Sequence, residues 1–400
     1  MTNSTADSLI VIRGRGRVSA LGVEAAPGSG AAPFTTHTSG LPVAALPAAA
    51  ETALATLRRS NPAYRALDRT VLLALLAARH ATAQTSWLPQ DSVLLGVSIG
   101  SSRGATSRLE QFHQEFLTEG TVPVAASPLT TLGNVASWVA YDAGTTSGAA
   151  LSHSSTCSSA FQALGNALAW LRAGMAERFL AGGTEAPLTS FTLAQMHALG
   201  IYSPFAAADF PCRPGAGKPS TFVLGEGAAV FVLEKMSRQQ LLAERADQPA
   251  AAPIFCLEGV GFGFEAISSK TGLSAAGQHF QTAMRAALQA AGCSAAAIDA
   301  VVLHSPGTPA GDAAERAALR AVFSGSRPDL VSNKWLLGHT LGASAALSLD
   351  FACHILTTQS WPTPPFATDL TPAPTRLVRR VLINAAGFGG NAASVVVSVV

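Results

Sequence analysis

Four hundred residues, 48% hydrophobic and only 12% charged, carry enough apolar surface for a large core, in one big domain or two fused halves, and exclude disorder as the main state. The charges nearly cancel at a formal +2 with no block of lysine or arginine, so bulk electrostatics give no drive toward nucleic acid or an anionic membrane. The apolar run Val71 to Ala78 ends at Arg79, short of the roughly 20 residues a membrane span needs, so no span is expected.

The amino terminus, MTNSTADSLIVIRGRGR, puts an acid before its short apolar stretch and arginines after it, the reverse of a secretory signal, so the cytoplasm is the expected location. From there, strand-like apolar runs alternate with Ala-rich helical stretches, the pattern of a layered α/β protein. Strands are expected at Leu9 to Ile12, Val93 to Val97, Phe179 to Leu180, Ala228 to Leu233, Ile254 to Val260, Ala300 to Leu303 and Val381 to Ile383. Helices are expected at Arg69 to Ala83, Ser158 to Ala173, Phe280 to Ala291, Asp312 to Phe323 and Ser344 to Leu356. IVIRGRGRVSALG near the start has a faint counterpart in IFCLEGVGFGF from Ile254, each read as an apolar strand running into a Gly-containing turn, which suggests an internal duplication. The unperiodic stretch Glu24 to Pro33 reads as a loop. RADQPAAAP, Arg245 to Pro253, reads as a connector that divides the chain into 1–250 and 251–400.

Five scattered cysteines without a C-x-x-C pair argue against a disulfide framework or a zinc ribbon. Four read as small buried hydrophobes. Cys157 differs, because LSHSSTCSSAFQALGNALAWLRAG places it at the turn into an amphipathic helix with apolar positions at Phe161, Leu164, Leu168 and Leu171. Unpaired amides and the positive end of the helix dipole there favour thiolate, as a nucleophile requires. A buried structural cysteine fits the same window equally well. Two histidines add weight to the first reading: His304 in VVLHSPGTPAGDAAE follows a strand and precedes a Pro/Gly turn, and His339 in SNKWLLGHTLGASAALSLD precedes small residues that open a helix. Each alone would more often be a satisfied core or surface residue. With the Gly-rich NAAGFGGNAAS near the end they form a set that chance does not readily supply.

The sequence resembles the β-ketoacyl synthase family from its first strand to its last residue. STCSSA looks like the active-cysteine motif, HSPGTPAGD and NKWLLGHTLGA like the two histidine motifs, GFGG like the terminal loop, and CRPGAGKPSTFVLGEGAAVFVLE like the segment between cysteine and first histidine. The resemblance implies a thiolase fold, five layers αβαβα from two similar halves, and a dimer of like or unlike subunits whose interface lies beside the cysteine strand. A Cys-His-His set points to the elongating branch, which condenses acyl and malonyl thioesters carried by an acyl carrier protein.

By that resemblance Cys157 takes the acyl group, the amides of Cys157 and Phe388 form the oxyanion hole, and His304 and His339 stabilise the enolate left by malonyl decarboxylation. Lys334, five residues before His339, would place a fixed cation beside the pair, although a solvated surface lysine is the plain alternative. Thr308, Gly387 and Gly389 are the expected substrate-binding positions. No metal or redox cofactor is required, since 4'-phosphopantetheine arrives on the carrier protein. Four positions depart from the family: Pro306 where a threonine is usual, Ser348 where an acid follows the second histidine, and Asn391-Ala392 where Thr-Asn usually follows GFGG. These departures point toward a specialised ketosynthase making a polyene or polyketide-like chain. The main rival is a non-catalytic, chain-length-setting partner subunit, but such partners usually lack the cysteine. A thiolase or initiating synthase fits the histidine motifs less well, and a Cys-His-His zinc site lacks supporting carboxylates.

Overall fold

The structure is a computed structural model that describes residues 8–24, 33–85, 87, 94–145, 148–247, 253–266 and 274–400. Ten main strands and a short one at Gly22–Val23 run in a single mixed sheet. In chain order its first half holds β1 (Ser8–Ser19), α1 (Arg69–Thr82), β2 (Leu95–Gly100), α2 (Asn134–Asp142), β3 (Ala150–His153), α3 (Ser159–Ala173), β4 (Arg178–Glu185), α4 (Ser190–Ala198) and β5 (Gly227–Ser237). The second half holds β6 (Phe255–Phe264), α5 (Gln278–Ala291), β7 (Ala300–Val302), α6 (Pro309–Val322), β8 (Asp329–Val331), α7 (Ser344–Thr358), β9 (Arg380–Gly387) and β10 (Asn391–Val399).

The expected duplication is visible as topology. Strand order is β1-β5-β4-β2-β3 in one half and β6-β10-β9-β7-β8 in the other, with the same sequence of antiparallel and then parallel pairings. The halves join where β1 meets β6 antiparallel at Val11–Cys256 and Ile12–Phe255. Helices α3 and α7 touch each other and strands of both halves, whereas α1 and α2 cover one outer face and α5 and α6 the other. The layers are therefore helix, sheet, helix, sheet, helix, the expected thiolase fold.

The central helices are apolar nearly all round because they have sheet on both sides. On α3, Phe161, Leu164, Leu168 and Leu171 are buried, each worth about 1.5–3 kcal/mol, and Gly174 in the left-handed region ends the helix. On α7, twelve side chains are buried. Among the described residues one segment, Leu341–Thr358, is long and apolar enough to cross a membrane, but it contains this core helix and 83% of it is buried.

The glycines of IVIRGRGRVSALG and IFCLEGVGFGF lie within strands, not in turns as expected. A Cβ at Gly14 or Gly16 would overlap the backbone carbonyls of Ala81 and Ala77 on α1, and one at Gly261 or Gly263 those of Ala283 and His279 on α5. The repeated pattern thus records how closely a helix lies on the first strand of each half. The expected connector begins inside a helix, Arg238–Asp247, and its remainder falls largely on 248–252, outside the described residues. Most of the Glu24 to Pro33 stretch likewise lies outside them, as does Val93 of the second expected strand.

Candidate active site

A loop of small hydroxyl residues delivers Cys157 to the start of α3. Ser158 and Ser159 turn their hydroxyls back onto the carbonyls of Ser155 and Thr156, and Ser159 Oγ accepts the Ser155 amide, so the hydroxyls close a tight knot that larger side chains would open. Thr156 is held at φ +52°, a left-handed conformation that costs a branched residue about 1–3 kcal/mol and persists where its surroundings enforce it. The close neighbour is Gly387 at the end of β9: a Cβ there would overlap Thr156 Oγ1 and come within 2.9 Å of the Cys157 amide nitrogen. The glycine loop therefore lies against the cysteine backbone.

His304 leaves the end of β7 under the control of Glu315 on α6. That fully buried carboxylate accepts the His304 amide at 2.9 Å, the Ser305 amide at 2.8 Å and the Asn384 side chain at 3.0 Å. His339 sits between the one-turn helix Lys334–Leu337 and α7. Its Nδ1 accepts the Leu341 amide at 3.0 Å, so the neutral ring carries its proton on Nε2. The two rings meet edge to face with centroids 5.3 Å apart, and Phe222 lies 5.2 Å from His339.

Cys157, His304, His339, Thr308, Gly387 and Phe388 all line one cavity of about 230 Å³, whose apolar walls include Met196, Phe222, Phe280 and Leu341. Two expected site residues are not on its wall. Lys334 lies behind the histidines, 2% exposed, with Nζ 3.4 Å from Ser348 Oγ and 3.5 Å from Asn333 Oδ1. Among the described residues no carboxylate pairs with it. Gly389 has φ +85°, and a Cβ there would meet only Asn391 Nδ2 at an ordinary 3.8 Å, so its conformation rather than crowding calls for glycine. Asp350, near Ser348 in sequence, turns away to Arg15 and Arg17 on β1 at 2.5 and 2.9 Å.

Burial sets the protonation states. It pushes the Cys157 thiol up to about 12, aided by the Glu185 carboxylate and opposed by Lys334, so the resting group is a thiol. Burial thus works against the thiolate that the helix start is expected to favour. Burial drives His339 down to about 3, with Lys334 adding to the effect, and holds His304 well below its ordinary range, so both rings are neutral N–H donors. It also lowers Lys334 to about 8, against the pull of Cys212, Glu315 and Cys157.

Sequence reading missed Glu185, which is buried at the end of β4. It accepts Ser101 and Ser102 hydroxyls, the Ser102 and Arg103 amides and the Gly342 amide, and so ties the turn after His339 to the loop after β2. It also missed Glu315. Both are single acids after or near apolar runs, and only their burial marks them out.

A thiolase fold in which a cavity gathers a cysteine, two neutral histidines and a glycine loop defines a carbon–carbon condensing enzyme of the thioester class. The chain matches the family models described as β-ketoacyl synthase, N-terminal domain, over residues 35–239 and β-ketoacyl synthase, C-terminal domain, over residues 254–365, and it belongs to the β-ketoacyl synthase family. It is 30% identical to Nodulation protein E of Rhizobium sp. (strain N33) over 342 residues, 81% of each chain. It is 28% identical to 3-oxoacyl-[acyl-carrier-protein] synthase 2 of Staphylococcus aureus over 351 residues, 83% of this chain and 84% of the relative. The solved β-ketoacyl synthase from Burkholderia phymatum STM815 superposes with a TM-score of 0.83 at 26% identity, covering 98% of this chain and 100% of the other. The enzyme is an acyltransferase, a β-ketoacyl synthase of fatty-acid or polyketide synthesis.

Proposed function

We propose that the enzyme works by acylation of Cys157 followed by decarboxylative condensation at the histidine pair, with acyl and malonyl groups delivered on an acyl carrier protein. The carrying observation is that one cavity is lined at once by Cys157, both histidines and the Phe388 loop. In the first half-reaction the cysteine sulfur attacks the incoming thioester carbonyl, the oxyanion is held by the amides of Cys157 and Phe388, and the pantetheine thiol leaves with the cysteine proton. One such donor contributes about 2.7–4 kcal/mol. In the second, the malonyl carboxylate leaves as carbon dioxide and negative charge moves to the thioester oxygen. The N–H donors of His304 and His339 meet it. The enolate carbon then attacks the acyl carbonyl, and the Cys157 sulfur departs and regains a proton.

Lys334 acts from behind the histidines by its field, and Thr308, with Gly387, borders the path of the pantetheine arm. The apolar walls suit a hydrocarbon or conjugated acyl chain, and Pro306, Ser348 and Asn391 favour a specialised polyene or polyketide-like product. We place the boundary between halves at 250/251, and take the working form to be a dimer of like or related subunits. The test mixes protein with a panel of acyl carrier protein thioesters and then with malonyl carrier protein. Mass gain on Cys157 and release of a β-ketoacyl product are expected, with His304→Ala and His339→Ala impairing condensation more than acylation. No adduct from any donor would sink the reading, and unchanged activity in Cys157→Ala would assign another nucleophile.

A further inference from the structure

Helix α5 begins without a cap of its own: Gly277 supplies no side chain, and its first turn holds no acid. Four amides at such an end need acceptors. One is Glu265, the residue after β6. Its Oε2 accepts the His279 backbone amide at 3.3 Å and lies 2.9 Å from His279 Nδ1. His279 is fully buried, and its Nε2 has no hydrogen-bond partner among the described residues. A buried imidazole whose second nitrogen is unsatisfied depends on the one bond it makes, so Glu265 is strongly held in place.

The backbone of Glu265 reaches the glycine loop that follows β9. Its backbone amide donates to the Gly390 carbonyl at 2.9 Å, and a Cβ on Gly390 would overlap the Glu265 carbonyl oxygen, so the glycine loop rests on this residue. The His279 ring packs 4.6 Å from Phe280, a cavity wall whose ring centre is 6.3 Å from that of His304. The Glu265 carboxyl is held below its ordinary range: burial opposes this, but hydrogen bonds from Ser274 and His279 prevail. It therefore stays an acceptor.

We propose that Glu265 and His279 form a strut that fixes the Gly387–Gly390 loop, and with it the Phe388 amide, against Cys157, making them positioning residues for acyl transfer. This rests on the oxyanion role proposed above for Phe388. The strut bonds the loop directly and reaches His304 only through the packing of His279 on Phe280, so its loss falls first on the loop and separates two reactions the same protein performs. Acylation of Cys157 needs the loop amide, whereas decarboxylation of malonyl carrier protein by the unacylated enzyme needs the histidines.

The test is single-turnover acylation of Cys157, read by mass, alongside carbon dioxide release from malonyl carrier protein, for wild type, Glu265→Ala and Glu265→Gln. Misplacing a reacting group by about 1 Å can cost about 100-fold, so Glu265→Ala is expected to slow acylation by about that factor with decarboxylation retained. Glu265→Gln keeps an acceptor oxygen and should lose about tenfold or less. Wild-type acylation in Glu265→Ala would overturn the strut while leaving the site reading intact. Equal loss of both reactions would also overturn it and assign Glu265 to general folding. Failure of wild type to acylate at Cys157 would remove the reaction the strut serves and overturn both.

Discussion

Lys334 should burden the fold it serves, because its ammonium is 2% exposed and, among the described residues, makes only two long contacts, both to neutral oxygens. Its fall from 10.5 to about 8 corresponds to roughly 3 kcal/mol favouring the neutral amine in the folded state. The unfolded chain holds the proton up to the ordinary value, so below about pH 8 both states are charged and the full cost is present. Between about 8 and 10.5 the folded state has released its proton first, and stability rises by that amount. Lys334→Met keeps the volume and removes the charge. It leaves Ser348 Oγ and Asn333 Oδ1 bonded to each other at 3.2 Å, so no new orphan is made. The variant should be more stable than wild type by up to about 3 kcal/mol near pH 7, with the gap closing toward pH 10, while condensation slows because the cation is gone. Urea unfolding at fixed protein concentration measures this, and taking the difference between the two proteins cancels the ionisation of other groups. A variant less stable near pH 7, or a gap independent of pH, would refute the account.

Gly387→Ala puts a methyl onto Thr156 Oγ1 and beside the Cys157 amide, so acylation should fall by about 100-fold in a folded protein; acylation followed by mass at near wild-type rate would show that the loop does not abut the nucleophile as described. A Cys157 thiol pushed up to about 12 should alkylate about tenfold faster for each pH unit between about 7 and 10, in step with its thiolate fraction. A plateau in that range would show that the helix start wins over burial after all.

Long, strongly patterned elements were legible in the sequence: α1, α3, α5 and α7 lie within about three residues of their expected bounds because apolar spacing and flanking glycines mark them. β3 and β8 were not, since ALSH and DLV are short and carry polar residues, whereas β7, also three residues, is wholly apolar and continuous with Leu303. The helix Thr106–Glu119 was missed for a different reason: its face is largely exposed in the isolated chain, with Leu109, Phe116 and Leu117 more than half exposed, so no core stripe appears. At the site, residue types named Cys157 and the histidines, but the resting charge of each depends on burial that only packing supplies. Glu185 and Glu315 were invisible for the same cause. Glu265 and His279 stand 14 apart, and nothing in their spacing says that one caps the helix of the other.

The duplication explains why the proposed reacting groups meet. In the first half, the chain leaves β3 and enters central helix α3 through Cys157; in the second, it leaves β8 and enters central helix α7 through Lys334 and His339. His304 lies just past β7 as Ser101 lies just past β2, with Gly100 rather than Ser101 at its matching register, and Gly387 ends β9 as Glu185 ends β4. Each half thus sends the same three strand ends toward the shared helical layer, and superposed function has diverged by residue rather than by backbone. In one half the strand-end positions hold the acceptor carboxylate Glu185, which grips both loops; in the other the equivalent position is a glycine, which lets the loop close on Cys157. An acid at the glycine's position would leave no room for the Thr156 loop, and a glycine at Glu185 would release the turn after His339. The asymmetry between these two positions therefore shapes the proposed active site within a repeated fold.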